Sequence, residues 1–257
     1  MAHQPLILYD IPSTAPGRAW TPNPWKARLA LNAKGIPYRT VWVEYLDIAG
    51  LCKRIGAQHT EVHADGHYYT LPVLRDPNTG VAVSDSFNIA RYLDETYPDT
   101  IRLIPDGTAA FQTMFACVAT EKVMIPMLKT FIEKIVDRLS PESSVYFRRT
   151  REETFGAKLE EIAPKGPVRD SVWQEMLDGL SQISGWMKES KGAFAMGETP
   201  SFADLVLLAL LHWVKITEGT ESKEWGDVMA ADDGRWERHW KALEKWIWVD
   251  EGSFEDV

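Results

Sequence analysis

Two short strands joined by a tight turn constrain the fold of this chain more than any other feature of the sequence. Residues 71–74 predict a buried strand, the turn formers at 76–80 end it, and 81–83 predict a second strand. The pair is therefore expected to form a β-hairpin. Pro72 stands directly before the first strand and can be a cis proline, in which case Leu71 exposes its backbone N–H and C=O at a cleft.

A helix is expected to follow this hairpin directly. Ser84 or Asp85 is a suitable N-cap residue, and Pro98 ends the helix. The start of the helix then carries an acid and a hydroxyl group, Asp85 and Ser86, beside the open backbone edge at Leu71. Such groups bind an ammonium and a carboxylate, so this arrangement suits a small peptide-like ligand that has both.

The residues before the hairpin complete the pattern of an α/β domain. Asn23 is a good N-cap residue and Pro24 fits the first position of a helix. The order strand–helix–strand–helix–strand–strand–helix is thioredoxin-like, and its parallel strands require a right-handed crossover. The expected segments are a strand at 6–11, a loop at 13–21, a helix at 23–35, a strand at 38–45 and a short helix at 47–57.

From residue 108 onward the apolar residues recur at helical spacing, which predicts an all-α domain. We expect an α/β domain at 1–98, a linker at 99–107 and the helical domain at 108–257. Pro126 lies inside the first helical run and predicts a kink or a break. The remaining expectations are a helix start near Ser143 or Ser144, a break at 163–167, a helix at 171–188, a capping box at Ser201–Asp204 that opens a helix buried on all sides, a last helix at 236–248, and an acidic tail at 250–256 that is frayed or packed at the rim.

Composition and charge exclude several classes of function. The chain has 257 residues, 45% of them hydrophobic and 25% charged, which is enough to build a sizeable core in a water-soluble protein. A net charge of −9 argues against nucleic acid or an anionic membrane as a partner. Cys52 and Cys117 form no paired motif and fit a reducing compartment. Because the first residues do not resemble a signal peptide and the apolar run at 205–211 is too short for a bilayer, we expect a cytoplasmic protein.

Three histidines raise the possibility of a metal site. His59, His63 and His67 are spaced at four residues and would lie on one face of a helix. Asp65-Gly66 disfavours a continuous helix, and a fourth ligand is not apparent nearby. We therefore expect no metal here, and interpret residues 58–69 as a polar flap beside the peptide-binding edge.

Two short motifs make the chain similar to a known family. These are Val83-Ser84-Asp85-Ser86-Phe87-Asn88-Ile89-Ala90 and, upstream, Pro22-Asn23-Pro24-Trp25-Lys26. With the Leu71-Pro72 pair between them, they resemble the cytosolic glutathione transferases, most closely the etherase-like group of wood-decay fungi and lignin-degrading bacteria. The resemblance covers most of the chain, and its motifs occur in the expected order and spacing.

The resemblance implies a role in glutathione binding for Leu71, Pro72, Asp85 and Ser86. The backbone of Leu71, presented by Pro72, would pair with the cysteinyl unit of glutathione. Ser86 and the helix N-terminus would bind the γ-glutamyl carboxylate, and Asp85 would bind the ammonium group. Considered alone, Asp85 and Ser86 are more often ordinary helix caps than ligand contacts. Preceded by Leu71-Pro72 at the family spacing, the ligand-binding interpretation becomes the favoured one, and one pair of residues can do both because capping and anion binding use the same N–H groups.

The N-terminus of the first helix is where a thioredoxin-like fold places its reactive group. Thr21, Asn23 and Trp25 occur there, and no cysteine does. Thiol–disulfide exchange and cysteine-type deglutathionylation are therefore disfavoured. We expect the Thr21 hydroxyl or the Asn23 amide to contact the glutathione thiol, with Thr21 slightly favoured by family logic. Trp25 could wall the cleft, although a tryptophan here is more often a packing residue.

The function implied is that of a glutathione transferase. Bound glutathione, the co-substrate, would be ionised and its thiolate would attack a hydrophobic, aromatic electrophile. An acceptor site would use Met114, Phe115, Val118 and the loop at 13–21. The alternatives are glutathione-dependent β-aryl ether cleavage, a binding protein for aromatic compounds with little turnover, and an assembly module, which the intact motifs disfavour. The resemblance also implies a homodimer.

Overall fold

The computed structural model describes residues 4–63 and 66–254 of the chain, which divide into two compact units. The first unit comprises the chain up to Ile104 together with the segment from Trp246 onward, and the second runs from Pro105 to Lys245. The end of the chain thus belongs with the first unit, whereas the sequence places it in the helical domain at 108–257.

The first unit has the expected mixed sheet with helices. The four-stranded sheet has the order β2-β1-β5-β6, in which β1 and β2 are parallel and the other neighbours antiparallel. A separate hairpin pairs β3 with β4. The strands are β1 (Leu6–Asp10), β2 (Tyr38–Trp42), β3 (Glu61–His63), β4 (Gly66–Tyr68), β5 (Val73–Asp76) and β6 (Val81–Ser84), and the helices are α1 (Pro22–Lys34), α2 (Ile48–Ile55) and α3 (Ser86–Thr96).

Helix α1 is buried on almost every side, and its polar residues are bonded within the first unit. Arg28 forms an ion pair with Asp10 of β1 at 2.8 Å, and neither side chain is exposed. Near the end of the helix, Lys34 pairs with Asp94 of α3 at 2.8 Å. Because a buried charge is costly unless it is paired, these contacts fix the position of α1 against the sheet and α3.

The second unit is helical, so the predicted combination of a thioredoxin-like domain and an all-helical domain is confirmed. Helix α9 is opened by the predicted capping box, in which Asp204 accepts a hydrogen bond from Ser201 N at 2.8 Å, and it is buried on all sides as predicted. The helices are α4 (Ala109–Ala119), α5 (Ile125–Val136), α6 (Pro141–Phe155), α7 (Leu159–Ile162), α8 (Pro167–Met187), α9 (Phe202–Glu218) and α10 (Lys223–Leu243). Among the described residues, none of the helices is both long and apolar enough to cross a membrane.

Prolines begin helices in this unit instead of breaking them. Pro141 and Pro167 are the first residues of α6 and α8, where a missing N–H costs nothing. Of the kink or break predicted at Pro126, the break is wrong, because a π-helical turn at Thr120–Met124 joins α4 to α5 without interruption. The wider turn accommodates the proline ring close to the start of α5. Opposite this turn, a Cβ atom added at Gly179 of α8 would lie 2.3 Å from the Lys122 carbonyl oxygen.

The end of the chain differs from its prediction in two respects. The last helix ends at Leu243 and contains a non-helical segment at 231–234; a short 3-10 turn then reaches Trp246. Of the two alternatives predicted for the tail, packing at the rim is confirmed as far as Phe254, because the tail lies against the edge strand β2. Asp250 accepts a hydrogen bond from Thr40 N of β2 at 2.7 Å, and Ser253 pairs with Val41. Residues 255 and 256 of the predicted acidic tail lie outside the described residues.

The three histidines lie on or beside the β3–β4 hairpin, not on a helix. The rings of His59 and His67 are stacked, with centroids 3.9 Å apart and planes 7° apart. His63 lies 2.7 Å from a carboxylate oxygen of Glu61. In the part of the chain that the structure describes, no group of three or more side chains is arranged to hold a metal ion.

Candidate functional site

The Leu71–Pro72 peptide bond is cis, as the sequence predicts, and it presents an open backbone edge. The Leu71 side chain is buried in the core, while its N–H and C=O have no hydrogen-bond partner among residues 4–63 and 66–254. The ladder to the neighbouring strands begins at Val73. An extended peptide can therefore pair with Leu71 through its own backbone groups.

Asp85 lies directly beside this edge and caps α3. Its backbone N–H donates to the Pro72 carbonyl at 3.3 Å. Its Oδ1 accepts hydrogen bonds from Phe87 N at 3.0 Å and Asn88 N at 3.1 Å, and both bonds use this one oxygen. Among residues 4–63 and 66–254, no hydrogen bond reaches the other oxygen, so it can accept one from a cation.

The backbone of Asp85 is strained. Its φ of +76° is rare for a residue other than glycine. A conformation of this kind costs about 1–3 kcal/mol and persists only where the surroundings enforce it, which is common at ligand-binding positions. A plain helix cap does not need it, because N-cap residues ordinarily have φ in the β region.

Ser86 is the first residue of α3, and only 7% of it is exposed. The first N–H groups of a helix have no intrahelical acceptor and carry the positive end of the helix dipole. Asp85 satisfies the N–H groups of Phe87 and Asn88, which leaves the N–H and the hydroxyl of Ser86 to bind an anion.

A buried carboxylate holds α3 against the hairpin that carries Pro72. Asp76, 1% exposed, accepts hydrogen bonds from the hydroxyls of Tyr92 at 2.8 Å and Tyr97 at 2.7 Å. Burial alone would raise the pKa of Asp76, but the bonds from Tyr97 and Tyr92 outweigh it and the pKa is lowered. The ionised carboxylate thus links the end of β5 to Tyr92 of α3 and to Tyr97, which directly follows the helix, an arrangement that was not predicted from the sequence.

The start of α1 supplies two polar side chains, Thr21 and Asn23, both half-buried. Thr21, not Asn23 as predicted, occupies the N-cap position, because Pro22 is the first helical residue. The Thr21 hydroxyl makes no hydrogen bond to the helix. Asn23 Oδ1 accepts a hydrogen bond from Lys26 Nζ at 2.9 Å, which turns the amide nitrogen away from the lysine.

Trp25, which the sequence offers as a possible wall of the cleft, is a buried residue. It is 2% exposed, and its indole N–H donates to the Ala19 carbonyl at 3.2 Å. The residue therefore packs in the core and ties the loop before α1 to the helix. Lys26, which sequence reasoning passed over, is the better candidate for a role near the site, because it is buried and bonded to Asn23.

In the second unit, the side chains predicted for an acceptor site differ in accessibility. On α4, Met114 is 64% exposed and Val118 is half-buried, whereas Phe115 is only 8% exposed. Their contribution to substrate binding remains a prediction.

Comparison with known proteins shows which family the chain belongs to. The model of the glutathione S-transferase N-terminal domain matches residues 20–96, and that of the C-terminal domain matches residues 110–246. The chain is a member of the glutathione transferase family. This transferase is 34% identical to the glutathione S-transferase-like protein ustS of Aspergillus flavus, over 95% of this chain and 91% of that one.

Solved structures of fungal transferases resemble it closely. A glutathione S-transferase of Ceriporiopsis subvermispora, crystallised in complex with glutathione, is 42% identical with a TM-score of 0.92, over 96% of this chain and 99% of that chain. Glutathione transferase GSTFuA3 of Phanerochaete chrysosporium is also 42% identical, with a TM-score of 0.91, over 97% of this transferase and 100% of that chain. The resemblance to the cytosolic glutathione transferases is thus confirmed.

Proposed function

We propose that this protein is a glutathione transferase that binds glutathione in its first unit and directs the thiolate at hydrophobic, aromatic electrophiles. The observation that carries the proposal is Asp85, whose strained backbone sets one free carboxylate oxygen beside both Ser86 and the open edge at Leu71. Glutathione offers a group to each: an ammonium, a carboxylate and a peptide backbone.

The proposed pose assigns these groups one by one. The cysteinyl N–H and C=O pair with the backbone of Leu71, which the cis bond to Pro72 presents. The γ-glutamyl carboxylate accepts hydrogen bonds from Ser86, and the ammonium binds the free oxygen of Asp85. Crystallisation of the related Ceriporiopsis subvermispora protein with glutathione supports this choice of ligand.

The thiol must then be ionised without a cysteine or tyrosine partner. A free thiol has a pKa near 8.5, so only a few per cent is thiolate at neutral pH. Lowering the pKa by about two units requires about 2.7 kcal/mol of preferential stabilisation of the thiolate. The positive end of α1 can supply up to about 2 kcal/mol in a partly buried geometry, and one hydrogen bond to the charged sulfur can supply the rest.

Two side chains are available as that donor. The Thr21 hydroxyl has no cap bond to make, so it is free to donate to the sulfur. Asn23 can donate through Nδ2, because Lys26 already occupies its oxygen. The ammonium of Lys26 also withdraws electrons from the amide and strengthens the donor. We propose that both side chains contact the sulfur.

The reaction follows from the thiolate. With an aromatic halide, a carbon–sulfur bond forms, the carbon–halogen bond breaks and halide leaves, while the thiol proton has already passed to solvent. We propose that Met114, Phe115 and Val118 contribute apolar surface for the aromatic ring. We also expect a homodimer in the cytoplasm, as the family resemblance implies.

The test combines titration and rate. The absorbance of bound thiolate is followed against pH in the wild type and in Thr21→Val and Asn23→Ala, and conjugation of an aromatic halide is measured alongside. A lowered thiol pKa in the wild type that rises in either variant supports the proposal. An unchanged pKa in both would mean that the helix dipole acts alone.

The same preparation distinguishes the other functions. A panel of aromatic compounds is tested by thermal shift with and without glutathione. Compounds that stabilise the protein but are not conjugated would favour a binding protein. Release of a phenol from a β-aryl ether would assign ether cleavage in place of conjugation.

A further inference from the structure

The segment Trp246–Phe254, here called the strap, runs along the first unit and contacts three parts of it. These parts are helix α1, the outer edge of the sheet at β2, and the loop at 13–20 that leads into Thr21. The strap contains no regular helix or strand after its initial 3-10 turn, so side-chain and backbone bonds to these parts hold it in place.

The first contact is with α1. Asn32 Nδ2 donates to the carbonyl oxygens of Trp246 at 2.6 Å and Trp248 at 3.0 Å. The indole ring of Trp248 stacks on Tyr38, with centroids 5.4 Å apart. Asn32 is itself buried, so the strap satisfies a polar group of α1 that would otherwise be unpaired.

The strap also makes an electrostatic contact with α1. Arg28 is fully buried, and besides Asp10 its guanidinium pairs with Asp250 of the strap at 3.2 Å. Asp250 also accepts hydrogen bonds from the backbone N–H of Thr40 at 2.7 Å and from its hydroxyl. The strap thus supplies the second carboxylate to a buried cation on α1, the helix whose N-terminus carries Thr21 and Asn23.

The second part that the strap contacts is the edge of the sheet. Ser253 N donates to the Thr40 carbonyl at 3.0 Å, and Trp42 N donates to the Ser253 carbonyl at 2.8 Å. Strand β2 is at the edge of the sheet, so the strap satisfies groups that would face solvent. Gly252 has φ +66°, and a Cβ atom there would lie 2.3 Å from Trp42 Nε1. Only glycine lets the strap approach β2 this closely.

The strap also contacts the loop before α1. A Cβ atom added at Gly17 would lie 3.5 Å from a methyl group of Val249, so the Val249 side chain lies beside the backbone of the loop at Gly17. The guanidinium of Arg18 lies 5.3 Å from the centre of the Phe254 ring. Within three residues of Arg18 the chain reaches Thr21.

We propose that the strap is a positioning element for thiol activation, in which Asp250 fixes α1 and Phe254 fixes the loop that carries Thr21. This inference rests on the proposed function. Residues of the strap, at the far end of the chain, thus determine how well Thr21 and Asn23 are oriented toward the sulfur. Asp250, for example, is 222 residues from its partner Arg28. Hydrogen bonds to a developing charge depend on donors held in place before reaction.

The experiment compares two glycine substitutions. Gly252→Ala forces the strap away from Trp42, while Gly107→Ala is the control, since Gly107 has a similar φ of +77° with nothing within 4 Å of an added Cβ. Three quantities are measured: hydrogen exchange of the amides at 13–21, the pKa of the thiol of bound glutathione, and the Kd of S-methylglutathione, which has no thiol to ionise.

For Gly252→Ala we expect exchange at 13–21 to be about tenfold faster and the thiol pKa to rise by about half to one unit. The Kd of S-methylglutathione should change less than about twofold, because Leu71, Asp85 and Ser86 do not touch the strap. Asp250→Asn and Phe254→Ala should also raise the exchange rate at 13–21 and the thiol pKa. These two variants test the proposal if Gly252→Ala does not fold.

The outcomes separate the two proposals. Unchanged exchange and an unchanged thiol pKa in folded Gly252→Ala and Asp250→Asn would overturn the role of the strap. A wild-type thiol with an ordinary pKa would instead refute the proposed activation, and hydrogen exchange at 13–21 would still show whether the strap holds the loop.

Discussion

Asp85→Asn tests the glutathione site without disturbing the fold. Asp85 caps α3 through Oδ1, adopts φ +76° and, in the proposed pose, binds the ligand ammonium. Asparagine is as good an N-cap residue as aspartate and is among the residues that best tolerate positive φ. The substitution therefore preserves the cap and the backbone and removes only the charge.

The expected effect follows from that charge. A hydrogen bond to a charged group is worth about 1.5–3 kcal/mol, so the Kd for glutathione should rise by a factor of about 10–150. The free energy of unfolding should stay within about 0.5 kcal/mol of the wild type. Asp85→Ala should weaken binding as well, and should lose about 1 kcal/mol of stability for the cap.

Calorimetric titration with glutathione and chemical denaturation measure the two effects separately. Asp47→Asn is the matched control, because Asp47 occupies the N-cap position of α2 but makes no cap bond. It should change neither quantity. If Asp85→Asn binds glutathione within about twofold of the wild type, the ammonium is not bound at Asp85 and the proposed pose is wrong.

Three further substitutions test the packing and the buried charges. Gly179→Ala should cost about 1–3 kcal/mol of unfolding free energy by denaturation, because its Cβ would overlap the Lys122 carbonyl oxygen, whereas Gly185→Ala on the same helix, with open space, should be neutral or stabilising. Burial lowers the pKa of His212 to about 3, so the unfolded state binds a proton below about pH 6.5 that the folded state refuses. Below about pH 6.5, His212 should therefore lower the free energy of unfolding by up to about 1.4 kcal/mol for each unit that the pH drops. His212→Gln should reduce that dependence on pH. The pKa of Asp76 is lower in the folded state than the unfolded value of about 3.9, so ionised Asp76 contributes its whole stabilisation above that pH and loses it as the pH falls through the folded pKa. Asp76→Asn should lower the free energy of unfolding at neutral pH by about 1–3 kcal/mol, and it should make that free energy less dependent on pH in acid.

Features set by neighbouring residues were predicted well from the sequence. The cis bond at Pro72, the cap at Asp85 and the capping box at Ser201–Asp204 are all as expected. Each depends on residue types within a few positions of one another, for which short-range rules exist. The thioredoxin-like order of elements followed in the same way, from apolar runs and the turn residues between them.

Predictions were wrong where residue preferences allow two local structures. Asn23 and Thr21 are both acceptable N-cap residues, and Pro22 decided between them by occupying the first position of α1. Pro126 was expected to kink or break a helix; the helix does not break, because a π-helical turn accommodates the proline and Gly179 on another helix leaves room for that turn. Propensity alone does not include such compensation from a distant residue.

The position of Arg28 shows why the strap could not be predicted. In the sequence, Arg28 lies in a helix with no acidic residue at helical spacing, which is typical of a solvent-exposed position. In the structure it is fully buried, and its charge is balanced by Asp10 and by Asp250 from the far end of the chain. An acidic tail has no local pattern that reveals a buried partner, so the sequence left two alternatives open, a frayed tail or one packed at the rim.

This difference between local and distant information also divides the proposed site. The groups proposed to bind glutathione, Leu71, Asp85 and Ser86, are positioned by the hairpin and the helix that follows it. The groups proposed to activate the thiol, Thr21 and Asn23, lie on a helix start whose position depends on Arg28 and the strap. Binding and activation should therefore respond independently to mutation: changes on α3 alter the affinity for glutathione, while changes in the strap alter the thiol pKa and leave the affinity for S-methylglutathione intact.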